Sequence, residues 1–317
     1  MEIRKDYLLD NYTIIAENRV NRPNEFTGND KSAAGKCDFC PGNEQMTLPE
    51  IGHIGSPWQM RWFPNKYPLA NLDMQQRTNK EYFTSFNSYG FHEVIIETNN
   101  HSRQLYDFSS EEIKTLLDIY CDRIKELSSK EKIEYVFILK NYGVDAGASL
   151  SHSHSQVLAL NHLPELVRCE LKAISQYDSC PYCKIIQIES NSPRHCFENE
   201  GFAAFVPYSP RFNYELWILP KKHLLSITQL DDTGKHLLSQ ILQRSLSKLK
   251  SLGASFNVLI CNSPEGFLKN LPEGQKHGLH FRIMMTPKTS IRMVLEDSYD
   301  LYTNTITPES AAEFYQG

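Results

Sequence analysis

Apolar and polar residues alternate along several stretches of the chain, and this pattern predicts β-strands and two long helices. In the first half, strands are predicted over residues 11–17, 91–98 and 135–140. A helix is predicted to begin at Ser109, because Ser109 and Glu112 can form a capping box ahead of apolar residues at helical spacing. Residues 72–88 are polar and irregular, which indicates an exposed loop.

The second half repeats the order of these elements. Strands are predicted over residues 214–219, 256–260 and 280–285, and a helix that opens at residues 230–232 lies between the first two. Such a repeat indicates a duplicated unit. The sequence therefore predicts an α+β fold of two tandem domains, residues 1–165 and residues 166–317, each a mainly antiparallel sheet with flanking helices.

One predicted strand is polar along a single face. Side chains alternate in a strand, so His152, His154 and Gln156 point one way, each about 6–7 Å from the next. Ser153 and Ser155 point the other way. Two imidazoles and an amide on one face suit a metal site beside a nucleophile.

Composition narrows the classes of protein to which this chain can belong. The 317 residues carry a net charge of −5, which argues against a general nucleic-acid-binding protein. No apolar run approaches the length of a membrane span, and no apolar signal core follows Met1, so we expect a cytoplasmic protein that does not enter a membrane. In that setting the eight cysteines are more typical of metal ligands or buried thiols than of disulfides.

Each half supplies two cysteines at Cys-x-x-Cys spacing and two later histidines. One such pair alone could equally be a redox pair or two buried thiols. The same four residue types in the same order twice favour zinc, which two thiolates and two imidazoles bind in a closed tetrahedral site. In the second half His277 competes with His280, and we prefer His280 because it precedes an apolar run as His152 does. We therefore expect two structural zinc ions per chain, one held by Cys37, Cys40, His101 and His152 and one by Cys180, Cys183, His223 and His280.

If His152 binds zinc, His154 remains as a free imidazole on the same face. An imidazole can attack phosphorus and divide one substitution into two steps. Gln156 can donate its amide to a phosphoryl oxygen as charge builds there. The alternative, a histidine buried in the core, normally holds for a lone strand histidine, but three polar side chains on one face favour a reactive role. Further hydroxyl or backbone donors are expected from Ser149, Ser153 and the loop over residues 143–148.

The second half lacks this chemistry at the matching positions, which hold Arg282 and Met284. An arginine cannot be deprotonated to act as a nucleophile. The duplication is therefore predicted to leave one catalytic strand per chain. Candidates for binding phosphate and nucleotide lie in turns after strands, where ligand-binding groups usually occur; they are Arg19, Arg22, Asn65, Lys66 and Asn141.

The motif His152-Ser153-His154-Ser155-Gln156 resembles the pattern His-Pro-His-Gly-Gln of the galactose-1-phosphate uridylyltransferase family, within the histidine-triad superfamily. The resemblance extends over nearly the whole chain, and the variant of the motif looks closer to the ADP-glucose phosphorylase branch. Serine replaces proline and glycine in the motif, and Lys66 stands where uridylyltransferases tend to carry an acidic residue, so the case for uridine and galactose specificity is weakened. Besides residues 149–156, the stretches that carry the resemblance are residues 19–23, 37–43, 63–68, 90–94, 99–102 and 140–148.

The resemblance implies two histidine-triad-like domains, a homodimer with sites near the subunit interface, and a two-step reaction. His154 would take a nucleotidyl group from a nucleoside diphosphate sugar and release sugar 1-phosphate, while Gln156 holds the phosphoryl group. The acceptor would be phosphate in a phosphorylase and hexose 1-phosphate in a uridylyltransferase. Ser149 and Asn141 would contact the phosphates, and the nucleotide site would be lined by Arg19, Arg22 and Asn65.

The leading hypothesis is therefore an ADP-glucose phosphorylase-like nucleotidyltransferase. Its nearest rival is a UDP-glucose–hexose-1-phosphate uridylyltransferase, and hydrolysis or phosphorolysis of a dinucleoside polyphosphate is a third possibility. From a different class, the chain could be a non-catalytic nucleotide-binding zinc protein, although the presence of both His154 and Gln156 argues against it. The sequence leaves open whether the base is adenine or uracil.

Overall fold

The computed structural model describes residues 1–26, 37–73, 78–264 and 277–317. Within these ranges fourteen strands form two sheets. In chain order the strands are β1 (Glu2–Lys5), β2 (Tyr12–Ile15), β3 (Gly52–Ile54), β4 (Met60–Pro64), β5 (Thr78–Lys80), β6 (Phe83–Asn87), β7 (Gly90–Ile96), β8 (Tyr135–Tyr142), β9 (His154–Leu160), β10 (His195–Glu198), β11 (Phe202–Phe205), β12 (Leu216–Pro220), β13 (Ser255–Cys261) and β14 (Arg282–Lys288).

The helices of the described ranges are α1 (Ser110–Ser128), α2 (Glu165–Ile174), α3 (Pro181–Glu189), α4 (Asp232–Leu252), α5 (Val294–Tyr299) and α6 (Pro308–Gln316). The capping box predicted at Ser109 is present, because Ser109 Oγ accepts from the Glu112 N–H at 3.2 Å and Glu112 accepts from the Ser109 N–H at 2.9 Å. Asp231 caps α4 by accepting from the Gly234 N–H at 2.7 Å. None of these helices combines the length and the apolar composition that a membrane span requires.

The larger sheet has ten strands whose order reads the same from both edges inward. One half runs β3-β4-β7-β9-β8 and the other β10-β11-β12-β14-β13, and β8 pairs with β13 at the centre. The strand pairs are antiparallel, which confirms the predicted α+β class with mainly antiparallel sheets. The halves share one hydrogen-bonded sheet, and their division at residues 165 and 166 stays a prediction.

The smaller sheet has the order β2-β1-β6-β5 and corrects one prediction. Residues 72–88 were expected to form an exposed loop, yet β5 and β6 lie within them; residues 74–77 lie outside the described residues. β6 pairs with β1, some eighty residues away along the chain, from Glu2 opposite Asn87 to Arg4 opposite Ser85. Local composition does not reveal such a long-range pairing, so the polar residues of this stretch concealed the strands.

Helices α1 and α4 cover one face of the large sheet and bury its core. Leu116 and Leu117 of α1 and Leu246 of α4 pack in the same cluster as the inward strand residues Val157 and Ile283, and all five are at most 2% exposed. Because strand side chains alternate, the residues between these point to the opposite face. That face carries the functional side chains.

Candidate active site

The first group of predicted metal ligands comes together at the start of β9. The ligand atoms of Cys37, Cys40, His101 and His152 all lie within 4.8 Å of one another. Cys40 Sγ is 3.5 Å from His101 Nδ1 and 3.7 Å from His152 Nδ1. A tetrahedral zinc ion with bonds of about 2.3 Å to sulfur and 2.0 Å to nitrogen would separate these ligands by about 3.5 Å. The donor set and its spacing therefore fit such an ion.

Hydrogen bonds fix which ring nitrogen faces the sulfur atoms. His152 Nε2 donates to the Thr98 carbonyl at 2.7 Å, so Nδ1 is left to bind a metal. His101 Nε2 lies 3.2 Å from Ser151 Oγ, which in turn donates to Glu25 at 2.7 Å. Both histidines are held in the orientation that a metal ion requires.

The second half contains an equivalent group, Cys180, Cys183, His223 and His280, with ligand atoms again within 4.8 Å. His280 Nε2 donates to the Pro220 carbonyl at 2.9 Å, which leaves Nδ1 for a metal, as in His152. His277, the competing candidate, instead donates from Nε2 to the Asp178 carbonyl at 2.8 Å. Two Cys/His groups per chain are thus suited to hold metal ions.

His154 lies at the wall of a pocket on the open face of the sheet. Its Nδ1 donates to the carbonyl of His152 at 2.8 Å, so the proton is on Nδ1 and the lone pair is on Nε2. Burial lowers the pKa of His154 to about 4, and the ring is therefore neutral at pH 7. A neutral imidazole with a free Nε2 lone pair is the form that can attack phosphorus.

Both apolar and polar side chains line the pocket. Phe39, Phe63 and Val94 form apolar walls, and the Phe39 ring lies 5.3 Å from the His154 ring. Polar groups around His154 suit the phosphates of a ligand whose apolar part contacts these walls. Besides His154, the polar lining residues are Arg22, Asp38, Thr47, Asn65, Lys66, Tyr67, Ser149 and Gln156.

Two of these polar residues are joined by a contact between distant parts of the chain. Arg22 Nε donates to Ser149 Oγ at 2.8 Å, which places a guanidinium at the loop before the histidine motif. Arg19 is anchored by donation to the Tyr67 carbonyl at 2.5 Å. Arg19, Arg22 and Ser149 also line an adjoining cavity of about 410 Å³ that extends the pocket towards solvent.

Two predicted substrate-binding residues lie elsewhere. Ser153 points to the helix-covered face, where its hydroxyl donates to Glu97 at 2.6 Å and accepts from Lys140 at 3.0 Å. The alternation of side chains that places His154 in the pocket excludes Ser153 from it, so the structure contradicts its expected donor role. Asn141 accepts from Asn257 at 2.7 Å and lines a neighbouring groove of about 880 Å³ rather than the pocket.

A buried ion pair lies directly behind the histidine motif. Lys140 Nζ donates to Glu97 at 2.6 Å and to the backbone carbonyl of His154 at 3.2 Å, and both charged side chains are at most 3% exposed. Tyr120 of α1 donates to Ser155 Oγ at 2.9 Å. These contacts tie β9 to β7, β8 and α1, and they fix the backbone that carries His154.

Sequence reasoning missed these residues although a signal was present. Lys140 and Glu97 are opposite charges at the ends of otherwise apolar predicted strands, and such charges are rarely buried unless they are paired. His92 was also missed as a site residue; its Nε2 lies 2.9 Å from Gln156 Oε1. It lies two residues before Val94, on the same face of β7, and this spacing could have indicated it.

Comparison with known proteins agrees with this geometry. Residues 2–164 match the family model described as galactose-1-phosphate uridyl transferase, N-terminal domain. ADP-glucose phosphorylase of Arabidopsis thaliana is 32% identical over 98% of this chain and 91% of its own length. Galactose-1-phosphate uridylyltransferase of Thermotoga maritima is 27% identical over 98% of this chain and 96% of its own length.

Solved structures show the same similarity in three dimensions. The crystal structure of an Arabidopsis thaliana ADP-glucose phosphorylase with bound ADP-glucose superposes with a TM-score of 0.78, at 28% identity, over 100% of this chain and 99% of that one. A uridylyltransferase structure gives a TM-score of 0.81 at 25% identity, over 100% and 97% of the two chains. The resemblance inferred from the motifs is thereby confirmed: the chain belongs to the galactose-1-phosphate uridyl transferase family of nucleotidyltransferases, which includes ADP-glucose phosphorylase.

Proposed function

We propose that this enzyme splits a nucleoside diphosphate hexose through a covalent nucleotidyl-His154 intermediate and passes the nucleotidyl group to phosphate, as an ADP-glucose phosphorylase would. One observation carries the proposal: His154 is a neutral imidazole with Nδ1 held by the His152 carbonyl, in a pocket that also contains Gln156 and Arg22. The similarity to ADP-glucose phosphorylase over 98% of the chain supports this choice of substrate.

The reaction balances as two substitutions at the α-phosphorus. The Nε2 lone pair of His154 attacks the phosphorus, the bond to the bridging oxygen breaks, and hexose 1-phosphate leaves with that electron pair. An oxygen of inorganic phosphate then attacks the same phosphorus, and the N–P bond breaks to give the nucleoside diphosphate and free His154. The positive charge on the substituted ring is stabilised by the His152 carbonyl, which accepts from Nδ1 at 2.8 Å.

The other pocket residues bind and orient the phosphates. Arg22 supplies positive charge and fixes the Ser149 hydroxyl at 2.8 Å. The Asn65 Oδ1 atom accepts from the Tyr67 N–H at 2.8 Å, which leaves its N–H groups for a phosphate oxygen. Gln156 donates to the phosphoryl oxygens, whose charge rises in the transition state.

We also propose that both Cys/His groups hold zinc. In the first half the ligands would be Cys37, Cys40, His101 and His152, and in the second Cys180, Cys183, His223 and His280. A closed Cys₂His₂ zinc site supplies folding free energy rather than a reactive water, because no coordination position is open. Through Cys37 and Cys40 it would fasten the Phe39 wall of the pocket to the histidine motif.

The direct test is incubation with ADP-glucose or UDP-glucose, each with inorganic phosphate or with galactose 1-phosphate. We expect continuous release of glucose 1-phosphate from ADP-glucose, with formation of ADP, only when phosphate is present. Without phosphate the release should stop at one equivalent per active site, because the nucleotidyl group then stays on His154. Turnover of UDP-glucose with galactose 1-phosphate instead would identify the chain as a uridylyltransferase. Nucleotide binding without turnover in all four mixtures would overturn the proposed activity.

The oligomeric state is proposed from the family resemblance alone. We expect a homodimer in solution, with a mass about twice the 36.6 kDa of the chain. Light scattering coupled to gel filtration measures this mass directly. A single species at 36.6 kDa at assay concentrations would contradict it.

A further inference from the structure

His92 is a buried residue of β7 whose two ring nitrogens both have protein partners. It is 4% exposed and lies opposite Leu158 in the pairing of β7 with β9, next to the pair formed by Val94 and Gln156. Nδ1 lies 3.0 Å from the backbone nitrogen of Leu69. Nε2 lies 2.9 Å from Gln156 Oε1.

These contacts determine the tautomer of His92. Burial lowers the pKa of His92 to about 4, so the ring is neutral at pH 7 and carries one proton. The Leu69 backbone N–H can only donate, and Nδ1 must therefore accept. The proton is consequently on Nε2, which donates to Gln156.

The neighbouring Asn65 does not compete for this proton. Its Nδ2 lies 3.3 Å from His92 Nε2, but its Oδ1 accepts from the Tyr67 N–H at 2.8 Å. The Asn65 amide is therefore fixed with its nitrogen towards His92, and a nitrogen that carries hydrogens cannot accept. Of the two side-chain amides, Gln156 supplies the acceptor.

The orientation of Gln156 follows. The oxygen and nitrogen ends of a glutamine amide have nearly the same shape, so the side chain could present either end to a ligand. A hydrogen bond from His92 to Oε1 holds the oxygen end of the Gln156 amide towards His92. The NH₂ group is then left to face the pocket that His154 lines. The reversed amide would present an acceptor to a phosphoryl oxygen, which is also an acceptor.

We propose that His92 is a positioning residue that orients the Gln156 amide so that its N–H groups face the phosphoryl group bound at His154. The identity of that phosphoryl group rests on the proposed function; the orientation of the amide does not. His92 itself touches no reacting atom and acts through Gln156.

Two substitutions separate this role from a purely structural one. His92→Leu removes the donor, whereas His92→Gln keeps an N–H donor near the position of Nε2. Because an uncharged hydrogen bond contributes about 0.5–1.5 kcal/mol, we expect His92→Leu to lower kcat about tenfold with little change in KM. We expect His92→Gln to stay within about threefold of the wild type, by the same range of hydrogen-bond strengths. Leu158→Ala, which opens a cavity opposite His92, is the control for lost stability and should lower Tm without lowering kcat.

A double-mutant cycle with Gln156→Ala is the decisive comparison. If His92 acts through Gln156, His92→Leu should cause no further loss of kcat in a chain that already carries Gln156→Ala. An equal loss in both backgrounds, or no difference between His92→Leu and His92→Gln, would overturn the inference.

A measurement without substrate separates this inference from the proposed function. Nitrogen-15 NMR of protein labelled in its histidines, with His92→Gln used for assignment, reports which ring nitrogen carries the proton. We expect a single proton on Nε2 of His92. A proton on Nδ1 would overturn the inference even in an active enzyme, whereas a proton on Nε2 in a chain without transferase activity would uphold the orientation and refute only the proposed function.

Discussion

The two halves of the large sheet have the same Cys/His group, which could hold a metal ion, and differ at the positions beside it. In the first half Val94 lies opposite Gln156, and the pocket beside them is open to a ligand. In the second half Trp217 lies opposite Met284, so a large ring stands where the first half has a small side chain. His154 is matched by Arg282, two residues after the metal-binding histidine in each case.

Arg282 lies in the wall of the groove of about 880 Å³ and is held there by its neighbours. Its guanidinium lies over the rings of Tyr182 and Trp217, 5.3 and 5.2 Å from their centroids. Nη2 donates to Glu170 at 2.9 Å, and Nη1 also bonds to that carboxylate, so the charge is neutralised within the protein. The second half thus retains a Cys/His group that could hold a metal ion, but a neutralised guanidinium stands where the first half has a free imidazole. If both groups hold zinc as proposed, metal binding and transfer chemistry are separable in this fold.

The largest expected difference is in nucleotidyl transfer after substitution of His154 or of Arg282, the matching positions of the two halves. His154→Ala should lower nucleotidyl transfer on the order of 10⁴-fold or more, because it removes the attacking atom. Arg282→Ala should leave transfer within a few-fold of the wild type. The measurement is release of hexose 1-phosphate, together with trapping of labelled nucleotide on the protein. If the His154→Ala variant still trapped labelled nucleotide, the proposed difference between His154 and Arg282 would be refuted.

The buried ion pairs give the next largest expected effect. Lys140→Met leaves Glu97 buried without its cation and should lower the free energy of unfolding by about 3–5 kcal/mol. Arg282→Met should cost less, because the Glu170 side chain is 16% exposed and water can reach it. Guanidinium unfolding measures both, and Lys250→Met, at an exposed pair, is a control expected to cost below about 1 kcal/mol. A loss for Lys140→Met no larger than for Lys250→Met would show that the first half does not depend on this pair.

Removing the metal ion from one half at a time tests whether metal binding in that half supports nucleotidyl transfer. Cys40→Ser and Cys183→Ser make the same chemical change and should each remove one metal ion per chain, as measured by elemental analysis. Only Cys40→Ser should also lower transfer, by about 10–100-fold, because its metal ion would hold a wall of the pocket. Equal losses of activity in the two variants would mean that the second metal site contributes to catalysis.

The smallest expected effect concerns the helices that cover the sheet. Ser109 and Asp231 cap α1 and α4, the matching helices of the two halves. Ser109→Ala and Asp231→Ala should each lower the free energy of unfolding by about 1 kcal/mol. Thermal unfolding measures this, with the exposed Asp232→Ala as control. A loss in only one variant would show that the two helices contribute unequally to the shared core.

Spacing and donor chemistry made the metal groups predictable from the sequence. Cys-x-x-Cys pairs and later histidines can be recognised without a fold, and their repetition separated His152 from His154. The capping box at Ser109 was equally local. These features depend on residues close together in the chain or on a pattern that occurs twice.

Features that depend on distant contacts could not be predicted in the same way. Glu170, the partner of Arg282, lies on α2, in a stretch where no element was predicted. His92 reaches Gln156 only because β7 and β9 are neighbours in the sheet. The role expected of Ser153 was wrong although the alternation of side chains already assigned it to the other face. That pattern deserved more weight than the proximity of Ser153 to His154.

The pairing of β8 with β13 has a consequence for the origin of the chain. An unpaired outer strand exposes a row of N–H and C=O groups that recruits another strand, often from a second molecule. Here Ile138 to Tyr142 of β8 are paired with Phe256 to Ile260 of β13, so each half shields the strand that the other would leave open. A chain cut after residue 165 would present β8 to solvent and should self-associate through it. Two separate copies of one ancestral half could have paired through the strand that became β8 in one half and β13 in the other. That dimer would have had the same ten-stranded sheet before a single gene encoded both halves.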